Sequence, residues 1–526
     1  MATRTLLIAT AKHGHIRDAL KAVAAAEPRS RLSLLLLERE RGHFEPDPRV
    51  GRLHYFAKPL HPLSLPLARA LAAAKPDHVC IVCGLYYDHD NVVGAVETLL
   101  AAMGRRARVS LFVQREFCDP PRLPRLPLWR HLLTALLHLG IAAALRLLAP
   151  LTTVRAGEIF STRIGHLAYD CEIYLCEREL GYHKGCFDLF HLKDGQAANQ
   201  TLFALFARHM RITPLARHIH EAVRRYGLEG HELHLVTRRL GTARDPECLI
   251  PATAPHIAFS PGEHDRAARE MAALGIPRDR PYVCLLGRDP AYLEWLKPLG
   301  NDSRLQEPRN IDINDYLPTV DALAGAGCTV LRMGSKVMAA LATDNPRAID
   351  YAKHPARSDF MDIYLSATCR FFVGSGSGLQ EVPVIFRVPC LLINGFQFEL
   401  LQACSPQNIL LPQLIRDNEL GRILRVDEVL ALGLGDWGVE RFAESTRYRA
   451  LRNTPEEIRE AAVEMHRRLE GTWVEEPGDA ALQKRFWGLF TPSVYNSCFV
   501  ARIGADFLRR HAPVLLPEAV DGQAQE

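Results

Sequence analysis

Short apolar runs alternate with helix-periodic stretches over the first 118 residues, and that alternation leaves few folds open. The runs Thr5–Ala9, Leu32–Leu37, His78–Cys83 and Val109–Val113 are each bounded by polar residues or glycine. Helical patterns lie between them, at Ile16–Ala26 and Asn91–Met103. Strands that alternate with helices form a parallel sheet covered on both faces. Residues 1–118 therefore read as a Rossmann-like domain, whose ligand is expected beyond the carboxyl ends of the strands. Two turns fall there, Lys12–His15 and Tyr86–Asp90. The triplet Asp88-His89-Asp90 fits either a divalent-cation turn or a polar turn that starts a helix.

The same design returns near residue 280. Runs at Tyr282–Gly287, Thr329–Met333, Arg370–Val373 and Cys390–Ile393 predict a second parallel sheet. A third strand–helix layer is expected from Ile159–His166, continuing as a helix over Leu167–Leu180. At 526 residues the chain exceeds one ordinary core. Four segments follow: a Rossmann-like domain at 1–118, a linker at 119–155, a second Rossmann-like domain at 156–275, and a third with C-terminal helices at 276–526. Near the end, Thr454, Pro455 and the Glu456–Glu457 pair signal a helix start, with the helix running to about Leu469.

The linker begins with Pro120, Pro121, Pro124 and Pro127 among Arg122 and Arg125, which forbids regular helix. From Trp129 to Ala149 it turns apolar, broken by Arg130, His138 and Arg146. Arginine near a helix centre opposes a transmembrane span. Two readings remain for this stretch: an interfacial helix on anionic lipid and a buried inter-domain helix.

The most site-like stretch is Phe371–Val373 followed by Gly374-Ser375-Gly376-Ser377-Gly378. Glycines allow close backbone approach, and free N–H groups at a helix start suit a phosphate. No Gly-Lys-Ser/Thr follows, so the turn is not a P-loop. Arg288 and Asp289 follow one strand of the same half, and Arg332 lies in another. Arg357 precedes Ser358, which is placed to cap a helix beginning at Asp359. Arginines at such positions, beside a glycine turn, suit a diphosphate and stabilise a leaving diphosphate without a metal. In the preceding half, Arg163-Ile164-Gly165-His166 repeats the glycine–helix pattern, with Asp170 one helical turn on. Gly165 is read as a point where substrate meets backbone, and His166 or Asp170 as the general base for a hydroxyl. A capping or core role is the alternative for His166.

Other classes are set aside. A net charge of +4, without a Lys/Arg block, does not suit nucleic acid. Thirteen scattered cysteines, several inside apolar runs, read as thiols in a reducing compartment rather than a disulfide framework. The N-terminus lacks a signal-peptide pattern, so a cytoplasmic protein is expected, with possible attachment to the inner face of the plasma membrane through residues 122–150. No metal or resident cofactor is expected.

Several ordered motifs together resemble a family of bacterial glycosyltransferases associated with surface polysaccharides. They are Arg163–Ala168, Gly287–Leu293, Val330–Gly334, Arg357–Leu365, Phe372–Leu379, Asn453–Ile458 and Glu464-Met465. The resemblance covers about residues 155–475. It implies a GT-B-like pair of Rossmann-type domains, here preceded by an extra Rossmann-like N-terminal domain. It also implies a nucleotide-sugar donor substrate and a glycan or lipid-linked acceptor. Arg288, Asp289, Arg332, Arg357, Ser358, Asp359 and Gly374–Gly378 would then face the donor, and Arg163, Gly165 and His166 the acceptor. A nucleotide-sugar epimerase or hydrolase, or a non-catalytic scaffold for polysaccharide assembly, remain the alternatives.

Overall fold

The computed structural model describes residues 3–9, 13–37, 50–56, 65–82, 89–113, 116–118, 128–236, 239, 244–289, 291 and 310–518. The chain divides into two compact units. Unit 1 contains residues 1–156 and 218–232, and unit 2 contains 157–217 and 233–526.

Unit 1 holds a six-stranded sheet of β1 (Arg4–Ala9), β2 (Arg31–Leu37), β3 (Val50–Phe56), β4 (His78–Val82), β5 (Arg108–Val113) and β6 (Glu116–Cys118). Its order is β3-β2-β1-β4-β5-β6, parallel except for the last pair. Helices α1 (His13–Ala26), α2 (Leu65–Ala74) and α3 (His89–Ala102) connect the strands. Alternating strand residues feed two separate cores. Leu6, Ile8, Val79 and Ile81 pack on one face, and Leu7, Ala9, Cys80 and Val82 on the other. This is the period-2 consequence of a sheet buried on both sides. The strand β3 was not foreseen, because Val50–Phe56 interleaves Gly51, Arg52 and His54 with its apolar residues. Helix α4 (Leu128–Leu148) follows the linker, close to its expected bounds.

The region 156–275 departs from expectation. It supplies only β7 (Thr153–Ile159) and β8 (Cys186–Leu192), which form a two-stranded sheet, with the remainder mostly helical. Helix α5 (Ile164–Glu179) starts three residues earlier than predicted, and every residue from Leu167 to Glu177 is buried. A helix buried on all sides lies inside its unit rather than on the surface. The parallel Rossmann-type sheets among the described residues are thus two, with residues 4–118 supplying one of them. Helices α6 (Gln200–Ala207) and α7 (Leu215–Tyr226) follow β8.

Unit 2 is built on a seven-stranded parallel sheet. Its strands are β9 (Tyr282–Leu286), β10 (Thr329–Arg332), β11 (Ala348–Ile349), β12 (Phe372–Gly374), β13 (Cys390–Gly395), β14 (Ile409–Pro412) and β18 (Arg502–Ile503). A small antiparallel sheet of β15 (Leu414–Asp417), β16 (Arg422–Ile423) and β17 (Tyr448–Leu451) is interposed in sequence. The large sheet runs β11-β10-β9-β12-β13-β14-β18. The chain therefore builds outward from β9 in one direction, then returns to its other side with β12. That reversal makes the β9–β12 junction the topological switch point, where doubly wound sheets place their ligands.

One feature contradicts the thiol-only expectation. Cys248 and Cys498 are joined as a disulfide within unit 2. Nine other cysteines among the described residues are free, most of them buried.

Candidate functional site

The register across the switch point brings two loops side by side. Phe372 pairs with Cys284 and Gly374 with Leu286, so Gly287 and Ser375 leave the sheet together. Ser375 is buried, and its Oγ accepts the Arg288 N–H at 3.0 Å. The Arg288 guanidinium donates to the Gly376 carbonyl at 3.4 Å. A Cβ on Gly287 would lie 3.1 Å from Ile311 Cγ2 and 3.3 Å from Ile313 Cδ1, so those side chains would have to give by a few tenths of an ångström.

The glycine turn itself is tightly determined. Gly376 adopts a φ of +72°, a conformation that side chains disfavour. Its N–H donates to Gln380 Oε1 at 2.9 Å. The same amide group lies over Gly374, where a Cβ would come within 2.5 Å of Gln380 Oε1. Gln380 was not singled out from the sequence. Its position just after the glycines, at the end of the short 3₁₀ turn Gly378–Gln380, is the available signal.

Two predicted regions meet directly. A Cβ on Gly165 would stand 2.9 Å from the Cα of Gly378, and one on Gly378 would stand 3.1 Å from the Gly165 nitrogen. The close approach that Gly165 permits is made by the protein's own glycine turn. Arg163, expected on the acceptor side with Gly165, thus lies in the same unit as the donor-side residues. It is exposed at the N-cap of α5 and provides no side-chain cap. The first-turn N–H groups of a helix have no partner within the helix. The start of α5, whose first-turn N–H groups suit an anion, therefore abuts the glycine turn, whose Gly376 N–H is already taken by Gln380.

His166 and Asp170 lie one turn apart on α5, with Nδ1 3.9 Å from the Asp170 carboxylate. Asp170 is buried. The His166 ring packs against Phe160 at 4.8 Å between centroids. Burial, reinforced by Arg163 and Arg244, lowers the His166 pKa to about 4, so the ring is neutral at physiological pH. Arg244 is a second residue that sequence reading did not flag; it lies far from the motifs in the chain.

The other arginines are engaged within the protein. Arg332 is almost fully buried and pairs with Asp350 at 2.9 Å, with Asp289 at 3.9 Å. Asp289 accepts the N–H groups of Ala291 and Met338, both at 2.8 Å. Arg357 donates to the Gly334 carbonyl at 3.1 Å and to Asp362 at 2.5 Å. Burial pushes the Asp362 carboxyl up to about 6, against the pull of Arg357. Ser358 caps the helix Asp359–Thr368 as predicted, accepting from the Met361 N–H, and also donates to Glu270 at 2.7 Å. Asp359 is exposed at that helix start, 3.7 Å from the Arg357 guanidinium. The structure thus gathers Arg288, Ser375–Gly378 and Gly165 at the switch point. It assigns Arg332 and Arg357 to ion pairs that tie neighbouring loops to the sheet.

In unit 1 the corresponding switch point lies between β1 and β4. Residues 10–12 and 83–88, and the side chains of 13–15 and 89–91, lie outside the described residues. Most of both candidate turns falls there. Helix α3 begins at His89, within the triplet Asp88-His89-Asp90.

The protein is thus an α/β chain with two doubly wound sheets and a glycine-lined switch point in the second. No family model and no curated protein matches its sequence. Similar solved structures include the glycosyl transferase family 9 protein of Veillonella parvula, at 11% identity, 78% of this chain, 87% of that one and a TM-score of 0.23. Another is the ADP-heptose lps heptosyltransferase II of E. coli, at 11% identity, 78% and 90% coverage and a TM-score of 0.24. A third is the E. coli heptosyltransferase WaaC with ADP, at 13% identity, 78% and 91% coverage and a TM-score of 0.20.

Proposed function

We propose that the chain is a glycosyltransferase that moves a sugar from a nucleoside-diphosphate donor to an acceptor hydroxyl. The observation that carries this reading is the contact of the uncapped α5 start with the glycine turn at the β9–β12 switch point. A diphosphate would lie beside this contact, against the first-turn N–H groups of α5, with the Arg288 guanidinium next to the turn. Such fixed donors stabilise the charge that develops on a departing diphosphate. His166, neutral at physiological pH, is the proposed base for the acceptor hydroxyl, with Asp170 oriented behind it.

The acceptor is proposed to be a surface glycan or lipid-linked sugar, approached from a membrane. Helix α4 supports this. Among the described residues no helix is long and apolar enough to cross a membrane. Yet α4 buries only a narrow stripe through His138, Ala142 and Leu145. Opposite that stripe, Trp129, Leu133, Leu136, Gly140, Ala143 and Leu147 recur every three or four residues, all exposed. Leu136 is 63% and Leu147 79% exposed. At about 100° per residue, Arg130 and Arg146 fall on the two flanks of this outward face. The helix contains no Asp or Glu. An apolar face flanked by cations suits the plane of an anionic bilayer.

A thermal-shift screen of nucleotide sugars, followed by calorimetry with nucleoside diphosphates, tests the donor reading. Absence of binding across the common bases would sink it. Flotation with anionic vesicles tests the membrane reading. Leu133→Glu/Leu136→Glu is expected to abolish co-flotation while leaving donor binding intact.

A further inference from the structure

A buried imidazole in unit 1 has no well-made hydrogen bond. His138 on α4 is 3% exposed. Its Nε2 lies 3.5 Å from His218 Nδ1 and 3.5 Å from a Glu221 carboxylate oxygen, both on α7. Both separations are at the outer limit for hydrogen bonding. Among the described residues its other nitrogen, Nδ1, has no hydrogen-bond partner. Buried polar atoms are normally satisfied, so Nε2, set between two partners that each stand 3.5 Å off, points to a group missing among the three.

We propose that His138, His218 and Glu221 form a site for a divalent transition metal of the zinc class. One ligand atom from each of the three residues falls within 4.8 Å of the others. Four ligands around zinc at about 2.0–2.1 Å stand about 3.4 Å apart along each edge of the tetrahedron. The two 3.5 Å separations match that edge, whereas two partners sharing a proton would close to about 2.9 Å. Two imidazoles and one carboxylate are borderline donors suited to zinc, with a water completing the fourth position.

The Tyr226 hydroxyl donates to the Ala135 carbonyl at 3.3 Å, which fixes α7 against α4 next to the three residues.

A second cluster, Glu172, Cys176 and His256 in unit 2, brings similar atoms together. It is already filled. The Arg387 guanidinium sits 2.7 Å from Glu172 and 3.7 Å from Cys176. His256 bonds Glu172 at 2.9 Å and Glu179 at 2.8 Å. A bound cation there would compete with a guanidinium, so this cluster serves as the internal control.

The test uses the untagged full-length chain, stripped with chelator and titrated with Zn²⁺ by calorimetry and with Co²⁺ by visible absorption. One equivalent is expected, with the intense d–d bands of tetrahedral Co²⁺. His218→Ala should abolish binding, and Glu221→Gln should weaken it by more than about tenfold. Both side chains are partly exposed, so neither change threatens folding, and circular dichroism verifies this. Cys176→Ser should bind as the unaltered chain does. The proposal is overturned if the chain binds neither metal, if His218→Ala and Glu221→Gln bind as before, or if binding is lost in Cys176→Ser.

Discussion

Gly165 and Gly378 touch backbone to backbone, so closely that a Cβ on Gly165 would stand 2.9 Å from the Gly378 Cα. One opens a helix and the other closes a glycine turn, and each owes its identity to its neighbour. Their contact fixes the start of α5 against the switch point of the second sheet.

Gly165→Ala should therefore disturb the turn as well as the helix. Overpacking of this kind costs about 1–3 kcal/mol. Urea unfolding is expected to show that loss, and calorimetry a matching loss of nucleoside-diphosphate affinity. Unchanged affinity in a destabilised Gly165→Ala protein would separate the contact from donor binding.

Ser375→Ala removes the acceptor of the Arg288 N–H in a buried setting. An unsatisfied buried donor costs about 1–3 kcal/mol. The melting temperature should fall, and Ser375→Thr should restore part of the loss if its methyl group is accommodated.

These two positions show how far the chain could be read from its residues alone. The glycine turn, the strands β9, β10, β12 and β13, and the helix capped by Thr454 all lie near their expected bounds. That last helix, Pro455–Glu470, has the full capping box its sequence announces. Local chemistry writes such signals plainly. What could not be read was partnership. Arg332 and Arg357 look like anion ligands in a linear chain, yet Asp350 and Asp362 take them up once folded. Gly165 looks like a substrate contact, yet Gly378 fills the space. The region 156–275 looks like a third Rossmann layer because a strand–helix pair says nothing about which sheet the helix will join.

Arg357→Ala distinguishes a structural arginine from a donor ligand. It leaves a buried carboxylate without its cation, so Arg357→Ala should destabilise the fold by about 3 kcal/mol at most for a partly screened pair. Adding Asp362→Asn should recover much of that loss. If stability is unaffected but donor affinity collapses, Arg357 is a ligand after all.

The pH behaviour of His166 has a definite sign. Its folded pKa of about 4 lies below the ordinary 6.5. Between these values the unfolded chain binds the extra proton, so stability falls as pH drops from about 6.5 toward 4. His166→Gln should flatten that slope in unfolding experiments. Turnover should show no histidine limb between pH 6 and 8, and His166→Ala should reduce kcat by about 10²–10⁴-fold if this ring is the base.

Cys248 and Cys498 predict a redox-dependent melting point. A cross-link over so long a loop stabilises by about 2–4 kcal/mol. Oxidised protein should melt higher than reduced protein, and Cys498→Ser should erase the difference.

The chain passes between its two units three times, at 156/157, 217/218 and 232/233. Residues 218–232 complete the first unit only after part of the second has been made. Neither body can then be inherited, swapped or expressed as one uninterrupted stretch of gene. Recombination that exchanges either unit would have to cut at three places, so change in this chain should come by substitution within the loops rather than by shuffling of domains.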